Sequence, residues 1–117
     1  MKIKNLLVGS LITFSIIGGT ASAWAEDVRM FARHEVADYS AWRKIYNTLA
    51  PTQKKMGIHF KAVYQSVDNP NDVTVIHDFH SMEQAKAFAA SPELKSAMEK
   101  AGVKGAPQIW FTTLATK

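Results

Sequence analysis

The chain has 117 residues, four of them histidine and none cysteine, and a formal charge of +4. That length suits one domain and is too short for two, and the lack of cysteine excludes disulfides, thiolate chemistry and a lipid-anchored lipoprotein. Beyond residue 25 the balance falls to twelve basic against ten acidic side chains, with basic runs no longer than pairs such as Lys54-Lys55, so no nucleic-acid-binding stripe is expected.

Lys2 and Lys4 precede a mostly apolar, uncharged run from Leu6 to Ile17, which reads as the n-region and h-region of a secretory signal. The run is shorter than the roughly 20 residues of a spanning helix, which disfavours a retained membrane anchor. Gly18 and Gly19 end it, and Ala21-Ser22-Ala23 and Ala23-Trp24-Ala25 both fit the small-residue cleavage pattern. Cleavage after Ala25 is preferred because Glu26 and Asp27 then open a polar mature chain. The expectation is a signal peptide over 1–25 and an exported domain over 26–117, periplasmic or secreted and free of the membrane once cut.

In the mature chain, Val28, Met30, Ala32, His34 and Val36 alternate with Arg29, Phe31, Arg33 and Glu35, the period of a first strand. Asp38 caps a helix carrying Tyr39, Trp42, Ile45, Tyr46 and Leu49 at three- and four-residue spacing. Pro51 either kinks that helix or begins a short second piece to Met56, and Gly57 is a natural stop. Ile58 to Ser66 alternates again; the turn formers Asp68 to Asp72 then lead into Val73 to Phe79, giving a hairpin. Ser81-Met82-Glu83-Gln84 has the form of a capping box opening a helix with Ala85, Phe88 and Ala89 on one side. Ser91-Pro92 restarts it, Leu94, Met98 and Ala101 continue the stripe to Gly102, and a Gly105-Ala106-Pro107 loop leads to a last strand over Gln108 to Leu114.

The order strand, helix, strand, strand, helix, strand is the ferredoxin-like split arrangement, an α+β fold with an antiparallel four-stranded sheet. Right-handed crossovers place the first and third strands at its centre and both helices on one face. The helices cover that face only, yet the strands carry apolar residues on both: Ile109 and Phe111 alternate with Trp110 and Leu114, and Phe31 and Ile76 oppose Met30 and Val75. A second copy packed sheet to sheet is the expected cover, making a homodimer.

With that topology, the stretches Ala32-Arg33-His34-Glu35-Val36-Ala37-Asp38-Tyr39-Ser40-Ala41-Trp42 and Ala101-Gly102-Val103-Lys104-Gly105-Ala106-Pro107 resemble the dimeric α/β-barrel superfamily. That group includes antibiotic-biosynthesis-monooxygenase-like domains, stress-responsive barrel proteins and small polyketide cyclases. The resemblance spans nearly all of residues 28–114, is one of architecture and general pattern, and is closest to members without an assigned reaction. It implies a dimerising fold hosting cofactor-free monooxygenases, cyclases, haem-degrading enzymes and domains without known chemistry.

In the expected sheet His34, Tyr39, Trp42, Tyr64 and Trp110 fall near one end, where an aromatic-walled cleft suits a flat apolar or aromatic small molecule. His34 is the candidate general base, Tyr39 or Tyr64 the proton donor, and Trp42, Trp110 and His77 the ligand-binding residues. Packing alone also explains Trp42 and Tyr39 on a core-facing stripe, and His34 also reads as a structural histidine. His59, His77 and His80 with Asp78 gather at the other end; strand residues three apart face opposite ways, so no metal site is expected there. Phosphate loops, serine elbows and paired carboxylates are missing from the sequence, so no cofactor is expected. Three readings follow: a small-molecule-binding protein with cofactor-free oxygenase or cyclase-like chemistry on an aromatic or polyketide-like compound, a non-catalytic ligand-binding or stress-related domain, and a haem-binding or haem-degrading protein using His77 or His34.

Overall fold

The computed structural model describes residues 27–116, so the signal peptide expected over 1–25 lies outside the described residues. The elements are β1 (Val28–Val36), α1 (Tyr39–Thr48), α2 (Ala50–Lys55), β2 (Phe60–Gln65), β3 (Asp72–Phe79), α3 (Met82–Ala89), α4 (Pro92–Lys100) and β4 (Val103–Thr112). The sheet is antiparallel in the order β2-β3-β1-β4, with the first and third strands central. This is the ferredoxin-like α+β arrangement.

The caps act as their sequences dictate. The Asp38 carboxylate accepts from the Ala41 N–H at 2.9 Å, and the Ser81 and Ser91 hydroxyls accept from Gln84 and Leu94 at 3.2 Å each. Pro51 and Pro92 sit in the first turns of α2 and α4, where a missing N–H breaks no helix bond. Pro51 therefore begins a separate helix after the break at Leu49. Gly57 closes the turn after α2 at φ 97°, a left-handed backbone that favours glycine, and a Cβ there would lie 2.7 Å from the Gln84 amide and displace it.

All four helices lie over one face. Met30, Ala32 and Val36 of β1 and Val73, Val75 and Phe79 of β3 pack against Trp42, Tyr46, Phe88 and Leu94. Phe79 and Phe88 are fully buried, with rings 5.7 Å apart.

Two strand boundaries differ from the expectation. β2 is shorter, starting at Phe60, and Ile58 is buried ahead of it. β4 starts at Val103 and runs through Gly105-Ala106-Pro107 instead of looping there. Its register against β1 shifts between Arg33 (opposite Gln108) and Glu35 (opposite Lys104), so β4 carries a bulge. Gly105 supplies the positive φ of 71°, and Pro107 is tolerated because β4 is an edge strand. Leu114 falls beyond the strand and is exposed, so it adds nothing to the sheet.

The open face is organised in rows. Phe31 stacks on Trp110 with centroids 5.1 Å apart and planes 2° from parallel, and Ile76 and Ala62 continue that row across β3 and β2. On one side Arg29 forks onto Asp78 at 2.8 and 2.9 Å; on the other Arg33 forks onto Asp72 at 3.0 and 2.7 Å. The apolar surface expected there is thus a central belt flanked by two Arg–Asp pairs, with Phe60 and Tyr64 exposed at the β2 edge.

Candidate functional site

Between sheet and helices lies a cavity lined by His34, Trp42, Tyr46, Val75, His77 and Leu94, among others, with mostly apolar walls. Helical spacing builds one wall: Tyr39, Trp42 and Tyr46 share a side of α1, with Tyr39–Trp42 centroids at 5.8 Å and Trp42–Tyr46 at 4.9 Å. The floor is the sheet, where strand alternation turns His34 and His77 toward the helices.

His34 sits opposite the β4 bulge and has no partner residue on that strand. Its ring lies 5.7 Å from the indole of Trp42, and it is 8% exposed. Neither ring nitrogen meets a hydrogen-bonding group among the described residues. Burial lowers its pKa, only partly opposed by the Asp72 carboxylate, so the imidazole is neutral near pH 7 with one nitrogen free to accept a proton.

His77 is 2% exposed, and its Nε2 lies 2.9 Å from the Tyr46 hydroxyl. Burial and then the charge of Lys61 push its pKa down to about 4, against a weaker pull from Asp78. Burial raises the Tyr46 phenol, with the Gln53 side chain and Arg43 acting the other way. Lys61 donates to the Gln53 Oε1 at 2.7 Å, which ties the buried amide to a surface charge. The donor of the Tyr46–His77 bond follows from the imidazole tautomer: with the ring proton on Nδ1, the Tyr46 O–H donates to Nε2, and that Nδ1 has no partner among the described residues.

His34, Trp42 and His77 therefore share one cavity, and Tyr39 backs Trp42 with its hydroxyl accepting from Arg43 at 3.3 Å. The other two residues expected in that cleft, Tyr64 and Trp110, do not line it. Tyr64 pairs with Thr74 and Trp110 with Phe31, which puts both on the open face, more than two-fifths exposed. The reason is strand parity: each is an even number of places from residues that face away from the helices. His77 is also parted from His59 and His80, with which the sequence grouped it, because residues 77 and 80 lie on either side of the strand's end.

The sequence places Tyr46 on the apolar stripe of α1 and assigns it no role in the site. The available signal was a tyrosine in the middle of a buried stripe, since a buried hydroxyl needs a partner and a histidine strand nearby supplies one. Gln53, 1% exposed, carried no such signal beyond lying in a short proline-started helix.

No protein-family profile and no curated protein matches this chain. Solved structures do resemble it. A provisionally named antibiotic biosynthesis monooxygenase from Bordetella bronchiseptica aligns at a TM-score of 0.68 and 14% identity over 78% of this chain and 99% of its own. SnoaB, a cofactor-independent oxygenase from Streptomyces nogalater, aligns at 0.66 and 13% identity over 80% of this chain and 97% of its own. A protein from Caulobacter crescentus, also provisionally named an antibiotic biosynthesis monooxygenase, aligns at 0.64 and 19% identity over 80% and 93%. The chain thus has the ferredoxin-like fold found in antibiotic-biosynthesis-monooxygenase-like proteins.

Proposed function

We propose that this is an exported homodimeric protein that binds a small aromatic or polyketide-like molecule between sheet and helices, and that His34 takes a proton from it without a cofactor. The supporting observation is the set of three unpartnered imidazole nitrogens, two on His34 and one on His77, lining an otherwise apolar cavity. Buried polar atoms are nearly always paired, and each one left unpaired costs about 1–3 kcal/mol. A ligand with one or two hydroxyl or carbonyl groups on a flat apolar frame supplies the missing partners. Neutral His34 then acts as base and the Nδ1–H of His77 as donor to the oxygen that gains charge. SnoaB, described as a cofactor-independent oxygenase, supports the oxygenase branch of this reading.

The cavity offers about 40 Å³ to the centres of water-sized molecules, room for about three waters. A ring-sized ligand therefore enters by parting α1 from α4, whose groove, lined by Ile45, Leu49, Pro92 and Ala97, shares residues with the cavity. A haem would need a wider opening than a single flat ligand does, and the His77 Nε2 is already engaged by Tyr46.

The belt of Phe31, Ile76 and Trp110 supports the dimer, since a second copy laid across it removes the Phe31 and Trp110 rings from water. Lys2, Lys4 and the apolar run after them support export, which amino-terminal sequencing of protein recovered outside the cytoplasm tests: the expected first residue is Glu26. The function itself is tested with a panel of naphthols and hydroxyanthracenes, following fluorescence quenching and oxygen uptake. Quenching lost in Trp42→Leu, with turnover lost in His34→Ala, is expected. Turnover that survives His34→Ala removes the assigned base, and quenching without turnover leaves the sequestering domain as the function.

A further inference from the structure

At the end of the sheet away from the bulge, three side chains from three neighbouring strands converge. Asp27 precedes β1, His59 precedes β2, and His80 follows β3. The imidazoles of His59 and His80 stack with centroids 4.1 Å apart and planes 16° from parallel. The Asp27 carboxylate spans both: one oxygen lies 3.5 Å from His59 Nε2 and the other 3.3 Å from His80 Nδ1. One donor atom from each of the three lies within 4.8 Å of the others.

We propose that Asp27, His59 and His80 form a surface site for a divalent ion of the zinc class. Charge-assisted N–H···O bonds usually measure about 2.7–2.9 Å, and both contacts here are longer. Ligand atoms about 2.0–2.1 Å from a tetrahedral zinc lie about 3.3–3.5 Å from one another. Each imidazole has a carboxylate oxygen at that separation, His59 one and His80 the other, so a small turn of the carboxylate and of the stacked rings would bring one donor atom from each residue onto a single ion. Two imidazoles and one carboxylate are a borderline donor set that suits zinc, copper or nickel and not calcium or magnesium.

The backbone holds the donors in place. His59 N–H donates to the Asp78 carbonyl at 3.0 Å, and His80 N–H donates to the Gln84 Oε1 at 3.1 Å. The Gln84 amide fills the space a side chain at Gly57 would take, two residues before His59. Val28, next to Asp27, pairs with Phe79, next to His80. Beside the cluster lies an open cleft of about 740 Å³ lined by Gln53, Gly57, Phe60 and Lys61, so the fourth coordination position is open to water. A bound ion would clip the entry of β1 to the turns around β2 and β3.

The test is calorimetric titration of the purified, tag-free protein with zinc chloride, checked by the visible absorption of the cobalt form. One ion per chain is expected. His59→Ala and His80→Ala should each weaken binding at least about tenfold, and Asp27→Asn by a similar factor, as loss of a ligand does. All three residues are on the surface, and unchanged circular dichroism will show that the variants remain folded. His34→Ala should leave zinc affinity unaltered, which separates this site from the cavity. No saturable heat up to millimolar zinc, or equal affinity in the His59→Ala/His80→Ala double variant, would overturn the proposal.

Discussion

On β1, Met30, Ala32 and His34 look toward the helices, while Arg29, Phe31 and Arg33 look away, so one run of chain builds two unlike surfaces. The helix face is apolar, tightly packed and interrupted by buried groups whose hydrogen bonds are incomplete. On the open face Arg29 and Arg33 each have a carboxylate, and the apolar belt runs between those two pairs. A fully paired surface is finished chemically and is suited to docking; a surface with unpaired nitrogens around a space is suited to a ligand.

Core truncation on the helix face should have the largest effect. Phe88→Ala removes a fully buried ring and is expected to cost about 3–5 kcal/mol in urea unfolding. A loss under about 1 kcal/mol would mean this face is not the packed one.

Acid should act on the two faces in separate windows. The unfolded chain takes up a proton at His77 near the ordinary value of 6.5, and the folded protein does so only near 4. Stability from this group is fully present above pH 6.5 and is lost as pH falls from 6.5 to about 4, by about 3 kcal/mol in all. His34 shifts in the same direction and adds to that slope. The Asp72 and Asp78 carboxylates are held below 3.8 by hydrogen bonds from Arg33 and Arg29, so the open face weakens only at lower pH. Denaturation midpoints from pH 4 to 7 check this, and His77→Gln should flatten most of the slope; an unchanged slope would assign it elsewhere.

On the open face Trp110→Glu should move the sedimenting species from dimer to monomer with little change in the unfolding midpoint. The reverse outcome, a constant mass with a large loss of stability, would make the belt part of the core. Arg33→Ala should have the smallest effect, since both members of its pair with Asp72 meet solvent and exposed pairs contribute little.

The architecture was legible because each element carries its own punctuation: Asp38, Ser81 and Ser91 as caps, Pro51 and Pro92 in first turns, Gly57 at a stop. Alternation assigned His34 and His77 to their face. The β4 bulge was not legible, because Gly105 and Pro107 mark a loop and an irregular edge strand in the same letters, and only pairing with β1 decides between them. Tyr64 and Trp110 were misplaced for a related reason. Being at one end of a sheet is not being on one side of it, and the side follows from register across strands. The meeting of Asp27 with His59 and His80 needed three strand ends in space, which no spacing along the chain expresses.

The four histidines divide two and two between cavity and surface, so imidazole NMR resonances recorded during addition of a dihydroxynaphthalene test the central claim most directly. Shifts at His34 and His77, with His59 and His80 unmoved, are the predicted result. Movement confined to His59 and His80, or saturation binding that leaves His34 and His77 undisturbed, would contradict it.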